Sequence, residues 1–109
     1  MAVYVIGIGK VTDDSWASAY GANVHEIVHK HGGKYLARTI NITPLEGEPP
    51  DANLAAVVEF PNLDAARAFF DDPAYDEYRL ARQAGSVASF FAIDDIDALG
   101  TVPYLPKGS

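Results

Sequence analysis

Cysteine is absent from the chain. Its absence excludes disulfides, thiolate catalysis and cysteine-bound zinc, and it fits a cytoplasmic protein. Basic residues are few: eight lysines and arginines stand against fifteen aspartates and glutamates, a formal net charge of -7. Nucleic-acid binding needs a basic footprint to neutralise phosphates, so that class is excluded. Anionic membrane surfaces are disfavoured for the same reason. No apolar run approaches the roughly 20 residues of a membrane span. The opening MAVYVIGIGKV is apolar, but it has no basic lead and no small-residue cleavage site, and it reads as a strand and not as a signal peptide.

What is present is ordinary for a globular domain: 109 residues, 49% hydrophobic and 21% charged. That length buries a core without disulfides. β-Branched residues over Val3 to Val11 predict a first strand, and the glycines inside it, Gly7 and Gly9, mark a bulge or a close approach to the backbone. Thr12 and Asp13 offer helix caps. From about Asp14 to His31, Trp16, Tyr20, Val24, Ile27, Val28 and His31 recur at helical spacing, and Gly32-Gly33 ends the helix. Lys34 to Thr43 reads as a second strand, Pro44 to Asn53 as a loop, and Leu54 to Phe60 as a third strand. Asn62 caps a helix with Asp64 in its first turn. Asp72-Pro73 then starts another, because proline fits the first helical position. That helix ends at Gly85, and Ser89 to Asp94 is the fourth strand. The domain spans 1–94 and residues 95–109 form a C-terminal tail.

The order is β-α-β-β-α-β with the second helix broken in two, an α+β, ferredoxin-like arrangement with an antiparallel sheet. The strands are apolar at both alternating phases, yet helices cover only one face. The second face then needs a partner, and a homodimer joined sheet to sheet is the simplest one.

Several short stretches together carry a likeness. They are Gly32-Gly33-Lys34-Tyr35-Leu36-Ala37-Arg38, Glu46-Gly47, Glu59-Phe60-Pro61, Ala65-Ala66 with Phe69-Phe70, Asp72-Pro73-Ala74-Tyr75, and Arg82 followed by Ser86. In these the chain resembles the domain-of-unknown-function 1330 family, within the dimeric α+β barrel superfamily. The resemblance covers about Val3 to Asp94. The family often carries a glycine pair after the arginine of its second strand, where this chain has Thr39-Ile40-Asn41. The resemblance implies a ferredoxin-like subunit, a dimeric barrel and no common reaction. Relatives in the wider superfamily include cofactor-free monooxygenases, isomerases and polyketide cyclases.

His25-Glu26-Ile27-Val28-His29 satisfies H-E-x-x-H, in which two histidines one turn apart bind zinc. At roughly 100° per residue the pair falls nearly opposite Trp16, Tyr20 and Ile27. It is expected to face water, and a catalytic zinc needs a third protein ligand. No metal site is assigned. His31, on the apolar face at the helix end, reads as a cap or as a base at a cleft edge. Glu59 interrupts an apolar strand. It reads as half of an ion pair, with Arg38 or Arg82 as partner, or as a general acid or base in a pocket. Tyr75, Tyr78, Arg79 and Arg82 recur at helical spacings and suit either an anionic or phenolic ligand or a packing role.

The leading expectation is a small-molecule site between sheet and helices. It belongs to a binding protein or a cofactor-independent enzyme (isomerase, cyclase or monooxygenase) acting on a small organic acid or polyketide-like compound. Glu59 and His31 are the catalytic candidates, and Arg38, Arg82, Tyr75 and Tyr20 the substrate-binding ones. No cofactor is called for. The alternatives are a non-catalytic homodimeric binding or structural module, and a metal hydrolase built on His25 and His29.

Overall fold

Three polar caps and one proline lay out the helical half of the molecule. The structure, a computed structural model, describes residues 2–97. The Asp13 side chain accepts from Ser15 N and starts a short 3-10 turn over Asp14–Trp16, which leads directly into α1, Ala17–Lys30. Asn62 accepts from Ala65 N at 2.8 Å to start α2, Leu63–Asp71. Asp72 accepts from Ala74 N at 2.9 Å to start α3, Pro73–Ala84. Each cap satisfies a backbone N–H that the helix itself leaves free, worth about 1 kcal/mol where the cap is replaced by alanine. Asp72 therefore closes one helix and opens the next, and the expected break lies where the sequence placed it. Gly32 has φ +78° and Gly33 N donates to Val28 O at 2.9 Å, a glycine C-cap that turns α1 into the next strand.

The strands are β1 (Val3–Val11), β2 (Lys34–Thr39), β3 (Leu54–Phe60) and β4 (Ser86–Asp94). They form one sheet in the order β2-β3-β1-β4 with every pair antiparallel, the ferredoxin-like α+β arrangement expected. Two boundaries differ from the sequence reading. β2 stops at Thr39, four residues early, where the Thr39 hydroxyl takes the Asn41 N–H in a local turn. β4 begins at Ser86, three residues early, because Ser86 to Ala88 pair with Val11 to Gly9 through the backbone and need no apolar pattern.

Val3, Val5 and Gly7 of β1 and Leu54, Ala56, Val58 and Phe60 of β3 point under the helices. There Val5, Val58 and Phe60 meet Val24, Val28, Ala66, Phe69 and Tyr75 in the core. Phe60 and Tyr75 are almost wholly buried, and burying side chains of this size stabilises by about 2–3 kcal/mol each. The other face carries Tyr4, Ile6, Ile8, Val57, Glu59, Phe91 and Ile93, with Phe91 and Ile93 about half exposed. The second apolar face expected from the sequence is present, and no helix among the described residues covers it. No helix among the described residues is long and apolar enough to cross a membrane. Beyond residue 97 the expected tail lies outside the described residues.

Candidate functional site

A cavity of about 280 Å³ lies between the sheet and helices α1 and α3. Its walls are largely apolar, supplied by Trp16, Val58, Phe60, Phe69, Phe70 and Phe90. Five polar side chains break that lining: Tyr20, Tyr35, Arg38, Tyr75 and Arg82. All four residues expected to bind substrate are therefore here, brought together from α1, β2 and α3.

Arg38 reaches the cavity through a β-bulge. Lys34 pairs with Glu59 and Tyr35 with Val58, but Ala37 pairs with Val57, so Leu36 is an extra residue. Strict alternation puts Lys34, Leu36 and Arg38 on the face of Glu59. The bulge reverses that phase and turns Arg38 to the helix side, opposite Ala56. Its guanidinium then lies over the Tyr35 ring, 4.3 Å from the centroid.

Arg82 is 7% exposed, and its Nε has no hydrogen-bond partner among the described residues. Among those residues no carboxylate forms an ion pair with it. Its guanidinium rests on the face of Phe90 at 4.3 Å, a cation–π contact worth about 0.5–2 kcal/mol. Phe90 in turn needs Gly7, since a Cβ there would overlap its ring. The glycine in the first strand thus marks a close approach, one of the two readings its position suggested.

The Tyr20 and Tyr75 hydroxyls share a hydrogen bond of 2.6 Å. Burial, reinforced by the adjacent Tyr75, pushes the Tyr20 hydroxyl far above the ordinary phenol range. Burial also raises the Tyr35 hydroxyl, with Arg38 acting in the opposite direction. Tyr20 and Tyr35 are therefore neutral at physiological pH and offer O–H groups in place of phenolates. Two cationic groups and three hydroxyls surround an apolar space, an arrangement suited to a flat molecule with an anionic edge.

The two residues expected to be catalytic sit elsewhere. Glu59 lies on the uncovered face of the sheet, between Tyr4 and Lys34, so the sheet separates it from Arg38 and Arg82. His31 closes α1, and its Nε2–H donates to Asp72 Oδ2 at 2.7 Å. Lys30 Nζ donates to the same oxygen at 3.0 Å. These two donors and the Ala74 N–H hold the Asp72 carboxyl well below the usual carboxylate range, with His31 the largest contributor. His31 thus fastens the end of α1 to the start of α3. His29 is exposed and His25 partly so, and no group of three or more potential metal ligands occurs among the described residues. Glu46 is exposed, and Gly47, with φ +77°, serves the turn. The sequence reading missed Tyr35 and Phe90. Alternation alone places Tyr35 on the helix side with Val58, ahead of the bulge, and Gly7 was an indirect sign of Phe90.

The chain belongs to the family described as "Domain of unknown function (DUF1330)", whose model matches residues 2–96. No curated protein matches the chain. Among solved structures, it is similar to a protein of unknown function from Rhodopseudomonas palustris (TM-score 0.72, 15% identity, covering 88% of this chain and 83% of that one). It is also similar to SnoaB, a cofactor-independent oxygenase from Streptomyces nogalater (TM-score 0.62, 15% identity, 90% and 96%). A third is a dimeric protein of unknown function and ferredoxin-like fold from Bacteroides fragilis (TM-score 0.52, 17% identity, 85% and 95%). At these identities the likeness is one of fold.

Proposed function

We propose that this DUF1330 protein binds a small planar organic acid, aromatic or polyketide-like, in the cavity between sheet and helices. The observation that carries the reading is Arg82: a buried guanidinium with an unpartnered Nε at the wall of an apolar space. A buried cation without a counter-charge is costly unless a ligand supplies one. Arg82 and Arg38 hold the acid's anionic edge, and Phe90, Phe69 and Phe70 pack against its rings. Tyr20 and Tyr35 hydrogen-bond to its oxygens, with Tyr75 holding the Tyr20 hydroxyl in place.

The enzymatic form of this reading is isomerisation, cyclisation or, with molecular oxygen as oxidant, monooxygenation of such an acid without a cofactor. The cofactor-independent oxygenase SnoaB, similar in fold, makes that form worth testing, as an analogy between folds. Because Glu59 and His31 lie outside the cavity, proton transfer within it falls to the Tyr20–Tyr75 pair, which can donate to a developing enolate oxygen. The working unit is a homodimer paired through the uncovered sheet face. Half-exposed Phe91 and Ile93 support that pairing, as does the dimeric description of the Bacteroides fragilis protein.

Calorimetric titration with 2-naphthoate and 2-naphthol tests the reading. The acid is expected to bind about tenfold or more tightly than the phenol, since a hydrogen bond to a charged group contributes about 1.5–3 kcal/mol. Arg82→Met is expected to erase that preference. Equal binding of the two compounds by the unaltered chain would refute the reading.

A further inference from the structure

Beside the cavity runs a groove of about 870 Å³ between α2, α3 and β4. The two are neighbours with a shared wall, since Val5, Phe70, Arg82 and Phe90 line both. The chain has four arginines, and every one lines one space or the other: Arg38 and Arg82 the cavity; Arg67, Arg79 and Arg82 the groove. Among the described residues no lysine lines either. In a chain of net charge -7, three guanidiniums converge on one groove against a single lining carboxylate among the described residues, Asp71. Arg79 gives one nitrogen, Nη2, to Asp76 at 2.9 Å, yet its Nε is buried without a hydrogen-bond partner. Arg82 Nε is in the same state one turn further along α3. Buried guanidinium N–H groups are rarely left unmatched, so each Nε adds to the cost of holding these two cations at the groove, a cost that an anion seated there offsets.

We infer that the cavity and the groove are two halves of one site, and that the ligand is an aromatic acid carrying a flexible arm with a second anionic end. The inference rests on the reading of the cavity given above. The ring system occupies the cavity. The arm passes the Arg82–Phe90 stack and follows the apolar flank of the groove, where Ala88 and Ala92 lie on β4. Its terminal carboxylate or phosphate meets Arg79 and Arg67, whose planar forks match such oxyanions two bonds at a time. Size points the same way. The cavity alone sits at the lower edge of the roughly 300–1,000 Å³ common for ligand pockets, and the groove supplies room for an extended arm.

The test uses the full chain with two probes that differ only at the arm's end: 8-(2-naphthyl)octanoate and 8-(2-naphthyl)octan-1-ol. The acid is expected to bind about tenfold more tightly than the alcohol. Arg79→Gln is expected to shrink that ratio below about threefold, and Arg67→Gln, at an exposed position, to lower it in the same direction. Arg67→Gln keeps the test open if Arg79→Gln disturbs α3, which a thermal melt would reveal. Equal affinity for acid and alcohol, or a ratio untouched by both substitutions, overturns the inference. The 2-naphthoate against 2-naphthol comparison reports on the cavity separately. An intact preference there with no dependence on Arg79 or Arg67 removes the groove and leaves the cavity standing.

Discussion

Tyr20 on α1 and Tyr75 on α3 meet hydroxyl to hydroxyl at 2.6 Å, with their rings edge to face at 6.0 Å. The contact ties two helices together at the wall of the cavity. Because Tyr75 is fully buried, removing its partner strands a polar group. Tyr20→Phe is expected to destabilise by about 1–3 kcal/mol in urea unfolding. The double variant Tyr20→Phe, Tyr75→Phe should recover part of that loss, because two apolar rings then face each other. A loss in the double variant equal to the sum of the singles would show that the pair is not a unit.

Arg82 separates stability from function. Replacing a buried, unpaired cation by an apolar side chain of similar length removes a desolvation cost and forfeits the contact with Phe90. Arg82→Met is expected to unfold within about 1 kcal/mol of the unaltered protein, or above it, while losing its preference for 2-naphthoate. A large destabilisation would mean that Arg82 is a structural residue.

Gly7 holds the site open from below. A methyl group there overlaps the Phe90 ring, which is partly exposed and can swing away. Gly7→Ala is therefore expected to cost about 1–3 kcal/mol and to weaken ligand binding by displacing the wall beside Arg82. Adding Phe90→Ala should restore much of the stability and none of the binding.

Most of the frame was legible in the sequence because its signals are local. Asn62, Asp72-Pro73 and Gly32-Gly33 each act on backbone groups within a few residues, so the helix starts and stops could be read directly. The pairing of Arg38 with Glu59 could not be read correctly. It assumed strict alternation along β2, and one extra residue at Leu36 reversed the phase. A bulge is decided by the partner strand and the overlying helices, and nothing in KYLART announces it. The grouping of Tyr20, Arg38, Tyr75 and Arg82 was within reach because their types share a chemistry. The places of Glu59 and His31 depended on sheet face and on a contact 41 residues away in the chain.

Asp72 makes stability depend on pH. Its carboxyl titrates below its ordinary value of 3.8 because His31, the Ala74 N–H and Lys30 all favour the charged form. A depressed folded value contributes stability that is present above the ordinary value and is lost as pH falls below it. Asp72→Asn is expected to be less stable than the parent at pH 7. The gap should narrow as pH falls below about 4, measured by urea unfolding across the range. A gap independent of pH would show that the cap geometry alone matters.

The histidine pair on α1 is expected to play no part in the site. His25→Ala with His29→Ala should leave the melting temperature and 2-naphthoate affinity within error of the parent, with no stoichiometric zinc in protein purified without a histidine tag. Tightly bound zinc that leaves with the double substitution would revive the metal-hydrolase alternative.

The central claim is that the ligand enters between the sheet and helices and not between two sheets. Amide and side-chain chemical-shift mapping during titration with 2-naphthoate tests it most directly. Saturable shifts at Tyr20, Tyr35, Arg38, Tyr75, Arg82 and Phe90 are the expected result. Shifts confined to Tyr4, Ile6, Val57, Glu59 and Ile93 on the opposite face would contradict it.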